Sequence, residues 1–149
     1  MKALNSMKLE IESRSVNEAF ARAAVAAFAA QADPTVEEIS DIKTAVSEAV
    51  TNCIVHAYPD YVGKIYIWAG IFDNGIFRVK IKDKGCGIED VDKAMVPLFT
   101  TLGGERAGLG FAVMESFCDR IKVRSKPNKG TVVTLEKALC GRSGADERN

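Results

Sequence analysis

The chain has 149 residues, 47% of them hydrophobic and 27% charged, which is the size and make-up of one ordinary globular domain. Twenty Lys and Arg balance twenty Asp and Glu, which excludes a non-specific nucleic-acid or membrane-surface binder held by bulk charge. One His and four Cys without a C-x-x-C pair exclude a His-based metal site and the usual zinc frameworks.

No apolar run approaches the ~20 residues that cross a bilayer. Met1 to Glu10 lacks the apolar centre of a signal peptide, so the protein is expected in the cytoplasm, with Met7 as an alternative start. Cys53, Cys86, Cys118 and Cys140 are then expected to be reduced and mostly buried.

In chain order, Lys8 to Ser13 alternates polar with apolar and reads as a strand. Ser15 and Glu18 have capping-box spacing before a helix over Val16 to Gln31. After Glu18 that helix carries only Arg22 as a charge, so it is expected to pack on two sides, the outer one a candidate protein interface. Asp33-Pro34-Thr35 restarts the chain, with Pro34 in the first turn and Glu37 and Glu38 at the positive end of the dipole.

The next helix runs to about Tyr58-Pro59, with apolar residues at Ile39, Ile42, Val46, Ala49 or Val50, and Cys53. A second stripe, Thr44, Glu48, Asn52 and His56, recurs every four residues. After Lys43 this face offers one carboxylate among amides, hydroxyls and an imidazole. It reads as a face that meets a ligand, although a solvated surface also carries a lone Glu and Asn.

Lys64 to Phe72 and Ile76 to Lys82, joined by Asp73-Asn74-Gly75, form a β-hairpin. The second strand runs into Asp83-Lys84-Gly85-Cys86-Gly87. Glu89 to Ala94 can make a short helix, and four glycines in the eight residues 103–110 imply a mobile or tightly turned loop. Phe111 to Cys118 returns to helix and Asp119 to Ser125 to strand. Pro127 to Gly130 makes a turn and Thr131 to Glu136 a last strand. The tail from Gly141 is expected to be disordered. The order β-α-α-β-β, loop, α-β-β gives an α+β fold. It is a two-layer α/β sandwich of a mixed, mostly antiparallel sheet covered on one face by helices, with a core over about 8–136 of a single domain 1–149.

Three local signals follow one another. They are the Glu48 and Asn52 stripe, Asp83-x-Gly85-x-Gly87 at a strand end, and Gly108-Leu109-Gly110 before a helix, where free amides and the dipole favour phosphate. There is no Gly-x-x-x-x-Gly-Lys-Ser/Thr, and the first glycine pair opens no Rossmann crossover. Glu48-x-x-x-Asn52, Asp83-x-Gly85-x-Gly87, Gly108-x-Gly110 and Gly130-Thr131 resemble the nucleotide boxes of the Bergerat-fold ATPases and kinases. Within them, Glu48-Ala-Val-Thr-Asn52-x-Ile-x-His56, Pro97-Leu-Phe-Thr-Thr101 and Asn128-Lys-Gly-Thr131 resemble the anti-sigma-F family of spore-forming bacteria, from about Lys8 to Glu136.

The resemblance implies ATP and Mg²⁺ as cofactors. Asn52 would be the Mg²⁺ ligand, Glu48 the general base and Asp83, with Thr131, the acceptor of the adenine amino group. It further implies that Gly85 and Gly87 lie beside the base and that Gly108, Leu109 and Gly110 meet the phosphates. The segment Thr100 to Ala107 would be a lid containing Thr100, Thr101 and Arg106. Arg106 is open between a γ-phosphate contact and a solvated lid residue. The lid differs from the family pattern in Leu102-Gly103-Gly104 and in being a residue shorter.

The implied function is that of an anti-sigma factor and protein serine kinase. It would be a homodimer that sequesters a sporulation sigma factor and phosphorylates an anti-anti-sigma factor on Ser. Arg22 is a candidate partner contact, and no direct nucleic-acid or membrane contact is implied. The alternatives are an ATP-gated binding module without kinase activity, a detached histidine-kinase catalytic domain, and a switch kinase of a general stress-response pathway.

Overall fold

The computed structural model describes residues 2–89 and 105–140, the side chains of 105–110 excepted. The elements are β1 (Ala3–Glu12), α1 (Val16–Ala29) with a 3₁₀ turn Ala30–Ala32, and α2 (Val36–Asn52) with a π-helical turn Cys53–Ala57. They continue with β2 (Lys64–Phe72), β3 (Ile76–Asp83), α3 (Glu105–Phe117), β4 (Arg120–Lys126) and β5 (Gly130–Ala138). The strands form one sheet in the order β1-β2-β3-β5-β4, and every pairing is antiparallel, so the sheet is not mixed.

Period-two alternation decides what faces inward. Ile65, Ile67 and Ala69 of β2, Phe77, Val79 and Ile81 of β3, and Val133 and Leu135 of β5 are buried on one face. Val25 and Phe28 of α1, Ile42, Val46 and Val50 of α2 and Met114 of α3 close over them. Each such side chain, once buried, contributes roughly 1.5–3 kcal/mol, so this single interface supplies most of the apolar stabilisation. α2 lies between α1 and α3 and is the helix most enclosed by neighbours. That is why its polar residues are constrained.

The hairpin forms as the sequence predicts, with Gly75 at φ +87° and Asn74 Oδ1 accepting from Ile76 N at 3.1 Å. Other expectations are corrected. β1 starts at Ala3 rather than Lys8, because residues before Met7 pair with the end of β2. Ser15 makes no side-chain cap; Glu18 turns away to accept from Ser47 Oγ on α2 and to pair with Arg22 at 3.4 Å. The capping box is Thr35 with Glu38 instead, which puts Pro34 ahead of the helix rather than in its first turn. α1 buries residues such as Ala21, Val25 and Phe28 within the chain, and Phe20 on it stays exposed, which leaves open the outer interface expected for this helix. Of the four free thiols, Cys86 and Cys140 are exposed, so burial holds for Cys53 and partly for Cys118. The expected helix at Glu89 to Ala94, apart from Glu89 itself, the loop glycines 103 and 104 and the tail from 141 lie outside the described residues.

The uncovered face of the sheet is basic. Lys8, Lys80, Lys82, Arg120, Lys122, Arg124 and Lys126 are exposed on it. Its carboxylates are already paired: Glu10 with Lys64 at 3.0 Å, Glu136 with Arg78 at 2.6 Å and Glu12 with Arg14 at 2.7 Å. Tyr66 and Trp68 lie among these cations, with Lys84 and Lys80 over their rings at 5.1 and 5.8 Å.

Candidate nucleotide site

Asp83 is the last residue of β3, at an inward position of the alternation, and is 5% exposed. A buried carboxylate needs donors. Its Oδ1 accepts from Gly85 N at 3.0 Å and Thr131 N at 3.2 Å, and its Oδ2 from Cys53 Sγ at 3.5 Å. Burial raises the Asp83 carboxyl above its usual range, against the pull of the hydrogen bonds from Gly85, Cys53 and Thr131. Burial likewise pushes the Cys53 thiol well above the ordinary thiol range, and the Asp83 charge adds to it. Cys53 is therefore a neutral donor.

The backbone beyond Asp83 leaves no room for side chains. A Cβ on Gly85 would stand 2.2 Å from the carbonyl oxygen of Ala57, and one on Gly87, at φ +76°, would stand 2.0 Å from that of Lys126. The loop is pinned on both sides. Cys86 N donates to Ala57 O at 3.1 Å and Cys86 Sγ to His56 O at 3.0 Å on the π turn, while Asn128 N donates to Cys86 O at 2.6 Å. Tyr58 OH donates to Lys64 O at 2.7 Å and accepts from Lys84 N at 2.6 Å, which fixes the strand exit. Thr131 is buried, and its hydroxyl lies 2.7 Å from Ser125 Oγ, which also accepts from Ile88 N at 2.7 Å.

Asn52 closes the same cavity, which Cys53, His56, Ala57, Asp83, Gly87, Ile88, Phe111 and Thr131 help to line. Its Oδ1 and Nδ2 are both buried and have no hydrogen-bond partner among the described residues. Leaving a buried polar group unsatisfied costs about 1–3 kcal/mol, so this amide is poised to meet a group beyond the described residues. Its oxygen suits a hard cation. No cluster of three His, Cys, Asp or Glu exists among the described residues, so such a cation would find no cage of such side chains there and would draw ligands from phosphate and water.

The α-helix gives way to a π turn immediately after Asn52, and His56, on that turn, lines the same cavity as Asn52. Glu48, one turn before Asn52, does not line the Asn52 cavity. It is half-buried in a groove of about 380 Å³ between α1 and α2, shared with Arg22, Lys43, Thr44 and Ser47. The predicted base and partner residue, Glu48 and Arg22, thus share one groove, and Asn52, Asp83, Gly87 and Thr131 share another cavity.

Helix α3 begins at Glu105, not Phe111, so Arg106, Gly108, Leu109 and Gly110 are helical rather than part of a loop ahead of the helix. Glycine in a helix costs about 1 kcal/mol against alanine, which is why the pair reads as a loop from sequence. Thr100 and Thr101 lie outside the described residues. Sequence reasoning missed Cys53 and Ser125 as partners of Asp83 and Thr131. Ser125 left a trace: it is the polar residue at the inward position that follows Ile121 and Val123 on β4.

The model of the histidine kinase-like ATPase domain matches residues 11–137. The anti-sigma F factor of Caldanaerobacter subterraneus subsp. tengcongensis is 60% identical over 136 residues, covering 91% of this chain and 94% of that one. The anti-sigma F factor of Geobacillus stearothermophilus is 49% identical over 137 residues, covering 91% and 94%. Among solved structures, the RsbU and RsbW domains of a Mycobacterium tuberculosis protein superpose with a TM-score of 0.68 at 21% identity, over 91% of this chain and 32% of that one. The mycobacterial sensor histidine kinase MprB gives 0.56 at 15% identity, over 88% and 98%. These two likenesses establish the fold.

Proposed function

The chain belongs to the anti-sigma F factors within the histidine kinase-like ATPase family, and from that premise we propose that it is an ATP-dependent protein serine kinase. It sequesters a sporulation sigma factor and phosphorylates the anti-anti-sigma factor that opposes it. It works as a cytoplasmic homodimer. The observation that carries this reading is the Asn52 amide, buried and unsatisfied beside the Asp83 carboxylate and a glycine-lined approach.

In this reading Asp83 accepts from the adenine amino group and Thr131 supports it. Gly85 and Gly87 let the ring approach the backbone. Asn52 Oδ1 holds Mg²⁺, which when bound supplies charge neutralisation on the phosphates. Gly108, Leu109, Gly110, Arg106, Thr100 and Thr101 meet the phosphates from the α3 side. Glu48 takes the proton of the acceptor serine as its oxygen bonds to the γ-phosphorus. The bond from that phosphorus to the β,γ-bridging oxygen breaks, and ADP leaves with the electron pair. Arg22 contacts the protein partner at the mouth of the Glu48 groove.

The position of Glu48 also favours a second reading, an ATP-gated binding module without transfer, because the carboxylate lies outside the Asn52 cavity. Incubation with Mg²⁺, γ-labelled ATP and a cognate anti-anti-sigma factor separates them. Acid-stable label on a substrate Ser is the expected result. ATP binding without label on the substrate selects the binding module.

A further inference from the structure

We infer that Cys53 is a positioning residue that sets base specificity by orienting the Asp83 carboxylate, an inference that rests on the nucleotide reading of this cavity. A carboxylate offers about four lone-pair sites. Oδ1 of Asp83 is filled by the amides of Gly85 and Thr131, and Oδ2 receives the Cys53 thiol. One acceptor site remains, on Oδ2, and Asp83 lines the cavity.

That arrangement fits a ligand group with an N–H to give, such as the 6-amino group of adenine, and repels a carbonyl oxygen in its place. The two backbone donors fill Oδ1 and leave both lone-pair sites of Oδ2 open, so a third donor is needed to close one of them and leave a single acceptor site. The thiol does so from the first residue after Asn52, on the π turn, where it is 4% exposed and lines the same cavity. With the thiol removed, Oδ2 has two open sites, and a water or a tilted carboxylate competes with the amino group.

The test is calorimetric titration of the full chain with ATP and with inosine triphosphate, which carries a carbonyl where ATP carries the amino group. Cys53→Ala is expected to weaken ATP binding roughly three- to tenfold and inosine triphosphate binding less than about twofold, so that discrimination falls. Cys53→Ser, which keeps a donor, is expected to recover the preference. In an Asp83→Asn background, Cys53→Ala is expected to change neither affinity by more than about twofold, since the residue acts through Asp83.

Nucleotide-free melting curves control for packing. Should Cys53→Ala fail to fold, Cys53→Val fills the space without a donor and carries the same expectation. The inference is overturned if both nucleotides weaken together or if the loss persists without the Asp83 carboxylate. Wild-type chain that binds neither nucleotide overturns the nucleotide reading and this inference with it, whereas tight ATP binding with an indifferent Cys53 overturns the inference alone.

Discussion

Glu48 and Asn52 stand one helical turn apart, yet they open into different spaces, and the division suggests how labour is shared. Under the proposed function Asn52 and Asp83 would hold the nucleotide in one cavity, while Glu48 would meet the protein partner in the other. Glu48→Gln is therefore expected to leave the ATP dissociation constant within about twofold while abolishing transfer to the acceptor, a split that removes only the base. Filter-binding and label-transfer assays on one preparation decide it, and undiminished transfer would end the catalytic assignment. Asp83→Asn is expected to weaken ATP binding by about tenfold or more. Its effect on stability runs the other way. Because burial raises the Asp83 carboxyl, the folded chain still holds a proton that the unfolded chain has released, and stability falls as pH rises from about 4 to the raised folded value. Above that window the ionised carboxylate is a standing penalty that Asn lacks. The nucleotide-free variant should melt at the same temperature as wild type or higher at pH 7, with the difference shrinking toward pH 4. A variant that melts lower at pH 7 would show that the hydrogen bonds of the carboxylate outweigh its desolvation.

At the scale of elements, the chain separates local codes from distant claims on them. The hairpin was legible because Asp73-Asn74-Gly75 and two alternating strands are self-contained. Ser15 and Glu18 have the spacing of a capping box but do not form one, because Glu18 is claimed by Ser47 from another helix, a contact no local window contains. Thr35→Ala is accordingly expected to cost about 1 kcal/mol of unfolding free energy in urea titrations, and Ser15→Ala less than about 0.5 kcal/mol. Equal losses would mean that Ser15 caps α1 in solution. The π turn after Asn52 was not legible either, since the periodicity continues through Cys53 while the backbone changes its hydrogen bonding. Its carbonyls at His56 and Ala57 anchor Cys86, which ties the Asn52 helix to the Asp83 loop. Gly85→Ala sets a Cβ against the Ala57 carbonyl and is expected to destabilise the fold by roughly 1–3 kcal/mol and to weaken ATP binding. Retained affinity in that variant would show that the loop tolerates displacement.

For the whole molecule, two layers and the helix-covered sheet followed from element order, but the uniform antiparallel pairing did not. Strand direction in β5 and β4 depends on how the chain returns from α3, and nothing local to Thr131 to Glu136 encodes it. Charge shows the same limit. A sum of zero conceals a sheet face of Lys and Arg whose carboxylates are internally paired, opposite helices that carry Glu37, Glu38, Asp41 and Glu48. The molecule thus carries a basic sheet face although its whole chain has no net charge. It should be retained by a cation-exchange resin at neutral pH and low salt, despite having no net charge to exchange, and be released within a few tenths molar salt as the Debye length shrinks below the size of the basic face. Adsorbed that way it would lie sheet-down on any anionic support, with α1, α2 and the groove between them turned toward the solution.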